Sequence, residues 1–397
     1  MVVDDSAVVR GLVSKILAGD PAIEVVAIEA NGAAAIARLK RRQDIDVIVL
    51  DIDMPVMDGL TALPLLLQAR PGVRVIIASS LSQRGAEISV RALEAGAVDC
   101  VPKPSGVGAI MTREDFRRDL LGKVRSLAPP TAPPSQAQPP RPALSPAKPC
   151  PAVSALTRSP GARPPALRQP HTAAPLSPQP LLSAEPTPAH QPVALRASGR
   201  SPVKVIAIGT STGGPMALLE VFAHLGAARI TTPILITQHM PKTFTGILAD
   251  RIARRSGLAC VEATNGQAVE SGLVLLAPGD WHMLVEEQVG TRRPVIRLTQ
   301  DAPENYCRPS VDPMLRSVAR VYGAGALAVI LTGMGSDGCR GSEAVVAAGG
   351  SVIAQDSDTS VVWGMPGAVA AAGLCSAVLP IAEVAPYIVR RLASKPS

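Results

Sequence analysis

Apolar and polar positions along residues 1–127 form short Val- and Ile-rich runs separated by longer amphipathic stretches. The runs predict buried strands and the amphipathic stretches predict helices. The predicted strands are Val2-Val3, Glu24–Ile28, Val47–Leu50, Val73–Ala78 and Asp99–Val101. The predicted helices are Ala7–Leu17, Gly32–Lys40, Ala86–Ala95 and Arg113–Leu127, the last capped by Thr112. Five βα units of this kind predict a doubly wound parallel sheet, a flavodoxin-like fold.

The same alternation returns after residue 202. The predicted strands are Val203–Ile208, Pro233–Gln238, Val274–Ala277, Ala326–Leu331 and Ser351–Ala354. The predicted helices are Pro215–Leu225, Phe244–Arg255 and Ser342–Ala348, with antiparallel strands expected around Trp281–Gln300. We therefore expect a second three-layer α/β/α domain, Rossmann-like in its winding.

Between these halves, residues 126–202 show no sustained period and hold 21 of the 39 prolines. Proline at this density blocks helices and removes backbone donors, so the segment is predicted to be a disordered linker. The predicted domains are 1–125, the linker 126–202, and 203–394.

Composition narrows the class of protein. The hydrophobic content of 47% can build two cores, although aromatic residues make up only 2%. The six cysteines do not have the spacing of metal ligands, which favours reduced cytosolic thiols. The sequence shows neither a signal peptide nor a long apolar run, so we expect a soluble, cytoplasmic protein without membrane insertion. The predicted linker contains seven Lys and Arg residues and one acidic residue, so it carries most of the +7 net charge. That segment has no aromatic residue to stack on a base, so nucleic-acid binding is disfavoured.

Polar side chains follow successive predicted strands of the first half. Asp4 and Asp5 follow the first strand, Asp51 the third, Ser79 the fourth and Lys103 the fifth. In a doubly wound sheet these positions meet in one crevice. Carboxylates gathered there suit Mg²⁺, and the group fits phosphoryl transfer to an aspartate, with Lys103 neutralising charge.

In the second half, a glycine-rich turn follows the first strand. A dinucleotide-binding fingerprint would need glycine where Ser211 stands, so that alternative fails. Gly209, Ser211 and Gly213 instead match the GxSxG nucleophile elbow, which exposes a serine at a helix N-terminus.

A serine nucleophile needs a base and an orienting carboxylate. His239 ends the next predicted strand, and Asp337 lies in the loop after a strongly hydrophobic strand. His282 is a second candidate for the base. The order Ser, His, Asp differs from the Ser, Asp, His order of α/β-hydrolases, so another fold is expected for this triad.

The motifs VVDDSAVVR, VIVLDIDMPVMDGL, IIASS and GAVDCVPKP resemble those of two-component response-regulator receivers. The resemblance implies that Asp51 accepts the phosphoryl group and that Ser79 and Lys103 are the switch hydroxyl and the phosphate-binding lysine. It also implies a Mg²⁺ site formed by Asp5 with Asp4, Asp51 and the Asp53 carbonyl. Cys100 stands where many receivers have an aromatic switch residue, and only Met1–Val3 precede Asp4.

The motifs IGTSTGGP, TQHMPKTFT, APGDWHM, CRPSVDPMLRS, ILTGMGSDG and AQDSDTSVVWGMPGA resemble the catalytic domain of the CheB family of chemotaxis protein-glutamate methylesterases. The resemblance implies a hydrolase that demethylates glutamate γ-methyl esters of chemoreceptors and deamidates receptor glutamines. Ser211 would be the nucleophile, His239 the base, Asp337 its orienting acid, Met334 an oxyanion donor and Thr212 an assisting residue. No cofactor is implied for hydrolysis. Asn305, Arg308, Pro309 and Ser310 are expected to line the site.

The implied partners are methyl-accepting chemoreceptors as substrate and a chemotaxis-type histidine kinase as phosphodonor. In the family, the unphosphorylated receiver covers the catalytic face. A tether of 77 residues would span about 50 Å, which lowers the effective concentration of the receiver. We therefore expect weaker docking and a higher basal activity than with a short linker.

Two alternatives belong to other classes of protein. One is a non-catalytic, phosphorylation-dependent binding module with the same fold. The other is a receiver-controlled transcription factor, which is disfavoured because no DNA-binding motif follows the receiver.

Overall fold

The computed structural model describes residues 1–103, 113–128, 194–199 and 201–393, with residue 113 described in its backbone alone. The receiver and the catalytic part belong to one compact unit. Most of the predicted linker, and the predicted cap Thr112, lie outside the described residues.

The receiver alternates strands and helices from its first residues. Its strands are β1 (Val2–Val3), β2 (Ile28–Glu29), β3 (Val47–Asp51), β4 (Arg74–Ser79) and β5 (Asp99–Pro102). Its helices are α1 (Ala7–Ala18), α2 (Gly32–Arg41), α3 (Gly59–Ala69), α4 (Gln83–Glu94) and α5 (Arg113–Leu127). The parallel sheet has the order β2-β1-β3-β4-β5, and side chains of Ser6, Asn31, Asp58 and Ser82 cap the first four helices.

The catalytic domain contains nine strands. They are β6 (Val205–Thr210), β7 (Ile234–Gln238), β8 (Ala259–Glu262), β9 (Leu273–Leu276), β10 (His282–Glu287), β11 (Pro294–Thr299), β12 (Ala326–Ile330), β13 (Ser351–Gln355) and β14 (Ala377–Leu379). Its α-helices are α6 (Gly214–Ala227), α7 (Lys242–Ser256), α8 (Val311–Tyr322), α9 (Cys339–Ala347), α10 (Met365–Ala371) and α11 (Ile381–Ala393).

Seven of these strands form a parallel sheet in the order β14-β13-β12-β6-β7-β9-β8, and β10 and β11 form an antiparallel pair. The chain moves outward from β6 in one direction and from β12 in the other, so the sheet has a switch point between them. Ligand sites of doubly wound sheets lie at the strand ends beside such a point.

Both faces of the main sheet are buried, as a parallel sheet covered by helices requires. Ile206 and Ile208 pack into one apolar cluster, whereas Val205 and Ala207, pointing the other way, pack into a second. The first cluster continues into the receiver, where it includes Leu50.

The predicted α/β class and the two parallel sheets are confirmed. Predicted strand Glu24–Ile28 is mostly wrong, because the edge strand pairs with β1 only at Ile28 and Glu29. Sequence reasoning missed α3, which contains Pro64 and whose N-cap Asp58 follows a short loop. Helices α8, α10 and α11 and strands β8 and β14 were not predicted either.

Residues Arg196 and Gly199, assigned to the linker by the sequence, bond to the catalytic domain. The Arg196 amide donates to the Cys375 carbonyl, and the Gly199 amide donates to the Ser351 hydroxyl at 2.9 Å. The predicted boundary at residue 203 stays a prediction.

Among the described residues, none of the helices combines the length and apolar character needed to cross a bilayer.

Candidate active site and phosphoacceptor site

Ser211 follows β6 at the start of a tight turn into α6. Gly213 has φ +77°, a conformation in which a side chain is strained, and a Cβ there would lie 2.6 Å from Val361. The Ser211 amide donates to the Thr332 carbonyl of the neighbouring loop at 3.0 Å. This turn fixes the serine at the sheet edge and at the N-terminus of a helix, as the GxSxG pattern predicts.

His239 is brought beside this turn by strand register. Thr210 pairs with Gln238 across β6 and β7, and the His239 amide donates to the Thr210 carbonyl. The Gln238 side-chain amide donates to the Ser211 carbonyl at 2.9 Å, so it links the turn to the strand that carries the histidine. The sequence analysis missed Gln238, whose only signal was its position directly before His239.

The acid Asp337 lies 2.7 Å from His239, measured from Nε2 to Oδ2. Its carboxylate is 1% exposed and accepts five further hydrogen bonds at 2.7–3.0 Å, from the amides of Val311, Asp312 and Gly338 and the side chains of Asn305 and Ser310. Burial alone would raise the pKa of Asp337, but the His239 bond and the N–H donors lower it to about 2. Asp337 is therefore a fixed anion.

The other ring nitrogen of His239, Nδ1, lies 3.5 Å from the Cys307 sulfur. Burial would lower the pKa of His239, but contact with Cys307 and Asp337 together raises it well above 6.5. The Ser211 hydroxyl has no hydrogen bond within the described parts of the chain. In the sequence, Cys307 is one of six scattered thiols, and its place beside Arg308 and Pro309 in the motif CRPSVDPMLRS is the available signal of a role at the site.

The second candidate base, His282, has a different role. Its Nδ1 accepts from the Ser310 amide and its Nε2 donates to the Ala302 carbonyl, each at 3.2 Å, and the ring is 2% exposed. Both nitrogens are occupied, so His282 holds the loop at Ser310 and is not available as a base. His224 lies on α6 and bonds the Glu220 carbonyl, and His171 and His190 lie outside the described residues.

Two backbone amides beside the nucleophile are free. Among the described residues, neither the Met334 nor the Thr212 amide has an acceptor. Gly333, before Met334, packs so closely that a Cβ there would lie 2.8 Å from the Ser211 Cβ. An oxyanion formed at Ser211 therefore has two candidate donors, one of them the residue after the nucleophile.

The predicted phosphoacceptor group is assembled at the edge of the receiver sheet. Lys103 Nζ lies 2.6 Å from Asp4 Oδ2 and 2.7 Å from Asp51 Oδ1, and the Ile52 amide also donates to Asp51. Burial raises the pKa of Asp51 although Lys103 opposes this effect. Burial lowers the pKa of Lys103, but its bonds to the two carboxylates raise it overall.

Asp4, Asp5 and Asp51 each offer a carboxylate oxygen, and these three oxygens lie within 4.8 Å of one another. A set of hard oxygen ligands at this spacing fits Mg²⁺. The carboxylate of Asp53 is exposed and is not one of the three. Ser79 donates to the Gly85 carbonyl at 3.1 Å and makes no bond to Asp51 among the described residues.

The receiver touches the catalytic site at several points. Thr212, next to the nucleophile, donates to Asp99 of the receiver at 2.6 Å, and the Gly213 amide donates to the Val98 carbonyl. Met334 packs into the cluster formed with Phe116 on α5. These contacts surround the nucleophile turn with receiver atoms.

Asp99 belongs to a buried charge cluster. Lys123 lies 3.3 Å from Asp99 and 3.2 Å from Asp119, and it donates to the Cys100 carbonyl. Arg118 stacks over the ring of Tyr306, 4.9 Å from its centre, on the loop that carries Cys307. The start of β5 and one face of α5 are thus joined to the catalytic domain.

Comparison with known proteins gives matches to both parts. A family model described as CheB methylesterase matches residues 206–388, and one described as response regulator receiver domain matches residues 1–114. The chain is 52% identical, over 98% of its length and 92% of the relative's, to the protein-glutamate methylesterase/protein-glutamine glutaminase of group 2 operon of Rhodospirillum centenum.

It is 50% identical to protein-glutamate methylesterase/protein-glutamine glutaminase 1 of Paramagnetospirillum magneticum, over 100% of this chain and 96% of the relative. The solved Thermotoga maritima CheB methylesterase catalytic domain is 39% identical, covering 48% of this chain and 99% of that one, with a TM-score of 0.46.

The fold and the two matches define a response regulator with a methylesterase output domain. Because it is 50–52% identical to these two relatives over nearly their whole length, the chain belongs to the protein-glutamate methylesterase/protein-glutamine glutaminase family.

Proposed function

We propose that this protein removes methyl groups from glutamate γ-methyl esters of methyl-accepting chemoreceptors, releasing methanol, and deamidates receptor glutamines, under control of phosphorylation on Asp51. The observation that carries the proposal is the His239–Asp337 pair, 2.7 Å apart, held by strand register beside the Ser211 turn. The relatives' names give the substrate class. We place the reaction in the cytoplasm.

Ser211 is the proposed nucleophile and His239 the base. Because Nε2 is bonded to Asp337, Nδ1 is the nitrogen that takes the serine proton and later returns it to the leaving methanol or ammonia. The tetrahedral oxyanion is stabilised by the free amides of Met334 and Thr212. Water, deprotonated at the same nitrogen, then releases the glutamate and restores Ser211.

Phosphorylation uses the carboxylates and the lysine of the receiver. Asp4, Asp5 and Asp51 would hold Mg²⁺, which would neutralise phosphoryl oxygens when bound. Lys103 pairs with two of these carboxylates and is placed to exchange one of them for a phosphoryl oxygen. A histidine kinase is the proposed phosphodonor, and the Ser79 hydroxyl would turn from Gly85 toward the phosphoryl group.

In the unphosphorylated form, receiver atoms hold Thr212 and Gly213 beside the nucleophile. Release of these contacts opens the site to a protein substrate. The regulation is therefore relief of a block, and the chemistry lies in the catalytic domain.

Methanol release from a methylated receptor fragment tests this function. The parent chain with a small-molecule phosphodonor and Mg²⁺ should release methanol, and Ser211→Ala should lower kcat by at least about 10⁴-fold. Asp51→Asn is the matched control, because it should abolish activation while leaving the unphosphorylated rate unchanged. Methanol release that survives Ser211→Ala would contradict the proposal, whereas unimpaired receptor binding without any turnover by the parent would favour the binding-module alternative.

A further inference from the structure

A cleft of about 810 Å³ includes Gly213, two residues after Ser211, among its lining residues. Helix α6 forms one wall from Met216 outward, and α7 forms the facing wall. Three arginines of α7 line the cleft: Arg251, Arg254 and Arg255. Because residues three and four apart share a helix face, these arginines form one basic strip that leads toward Ser211.

Receiver helix α4 packs against both walls, α7 and α6. Its last residue, Glu94, also lines the cleft and places both carboxylate oxygens 3.3 Å from Arg251 Nη1. The end of α4 therefore borders the cleft, and the basic strip pairs there with a glutamate of a helix.

Glu220 of α6 also lines the cleft, but among the described residues it forms no ion pair with the strip. Arg254 and Arg255 are exposed. Asp250 lies 3.9 Å from Arg254 on the same helix, a weak exposed pair, and Arg255 has no ion pair within the described part of the chain. One acidic residue of the receiver thus satisfies only the first of three cations.

We propose that this groove docks an acidic helical segment of the substrate protein, and that Glu94, at the end of receiver helix α4, pairs with its basic strip as an internal mimic of one substrate carboxylate. The inference rests on the proposed function, because it takes the substrate to be a glutamate-bearing protein. An amphipathic helix laid in a groove is a recurrent recognition mode, and complementary charge sets its orientation. Carboxylates spaced three and four residues apart on that helix would match the spacing of the arginines.

The position of the groove supports this occupant over an unrelated partner. It leads to the turn that carries Ser211, and α7 from Lys242 to Arg255 covers about 20 Å at 1.5 Å per residue. A docked helix of similar length would present one of its glutamates to the nucleophile while its other carboxylates stay on the arginines.

A binding assay on the full chain tests the inference without catalysis. The probe is a fluorescent helical peptide with glutamate at every third or fourth position, and every protein carries Ser211→Ala. Glu94→Gln should tighten binding about fivefold, because the internal competitor loses its charge. Adding Arg254→Glu and Arg255→Glu to Glu94→Gln should weaken binding about tenfold or more. Both arginines are exposed, so these changes leave the core unaltered.

The matched control combines Glu94→Gln with Arg297→Glu, which reverses an exposed charge on the β10–β11 hairpin. It should bind the peptide with the same affinity as the chain that carries Glu94→Gln alone. A peptide with glutamine at the same positions should bind at least about fivefold more weakly than the glutamate peptide. If the Glu94→Gln chain binds the peptide equally well with and without Arg254→Glu and Arg255→Glu, the groove is not the docking surface. If Glu94→Gln does not raise the affinity for the peptide, Glu94 is not an internal mimic.

Methanol release by the chain with intact Ser211 separates this inference from the proposed function. If the parent releases no methanol but the peptide affinities follow the pattern above, the proposed function is wrong and the basic groove stands. If methanol is released and the affinity for the peptide does not change on Arg254→Glu and Arg255→Glu, the groove inference is wrong and the proposed function stands.

Discussion

Asp51 ends strand β3 and Asp337 lies in the loop after β12; both aspartates are buried, with 4% and 1% of their surface exposed, yet their electrostatics differ. The pKa of Asp51 is raised, whereas that of Asp337 is lowered to about 2. Asp337 accepts bonds from a histidine, three amides and two side chains, whereas Asp51 has Lys103 and the Ile52 amide. Burial disfavours the anion at both positions, and the number of donors decides whether that effect is overcome.

The two environments suit two roles. A carboxylate fixed by many donors keeps one orientation, as needed for the acid that orients a catalytic histidine. A carboxylate held by one lysine and one amide can change its partner when it receives a phosphoryl group. We therefore expect the proposed His239–Asp337 pair to keep one arrangement and the proposed phosphoacceptor site to exchange partners.

The largest expected effect comes from Asp337→Asn. The amide cannot accept all of the bonds that the carboxylate accepts, and it cannot stabilise a positive His239, so kcat for ester hydrolysis should fall by about 10⁴-fold. Steady-state hydrolysis of a small ester, which needs no receptor docking, measures this loss.

If Asp337→Asn lowers kcat only a few-fold while the chain stays folded, the assignment of the orienting acid is wrong. Asp312→Asn is a useful comparison, because Asp312 accepts from Asn305 and Gly341 in the same region without touching His239. It should lower kcat far less.

The second largest expected effect is on basal hydrolysis and comes from the contact between the receiver and the turn at Ser211. Asp99→Ala removes the acceptor of the Thr212 hydroxyl, a bond to a charged group worth about 1.5–3 kcal/mol. Basal hydrolysis by the unphosphorylated chain should rise about tenfold or more. Initial rates without a phosphodonor measure the change.

Glu114→Ala, at an exposed pair on α5, is the matched control and should leave the basal rate unchanged. A basal rate that does not respond to Asp99→Ala would show that the Thr212 bond is not part of the block.

The smallest effect is a shift of the pH profile. His239 accepts a proton only when neutral, and its pKa lies well above 6.5, so kcat/KM should still be rising with pH above that value. Cys307→Ala removes one of the interactions that raise the pKa of His239, so the rising limb should move to lower pH. The pH profiles of kcat/KM for the parent chain and for Cys307→Ala on a small ester measure this shift. If the rising limbs of the two profiles coincide, Cys307 does not influence the pKa of His239.

Much of this protein could be predicted from its residues because parallel α/β sheets place strand ends together. Asp51, Lys103, Ser211 and His239 follow predicted strands, and strand order alone brings them into two groups. Helix α3 was missed because Pro64 lies inside it, and α8 was missed although its own pattern is strongly amphipathic, since it begins directly after the loop at Pro309. The weaker docking expected from the long linker stays a prediction.

Periodicity and turn chemistry are local properties, so the residues alone predict the two sheets, the turn at Ser211 and the carboxylate group around Asp51. Tertiary packing places Cys307 against His239, bonds both nitrogens of His282 elsewhere, and pairs Asp99 with Thr212. These contacts join residues 20–113 positions apart in the chain, and no local pattern encodes which side chains meet when separate elements pack.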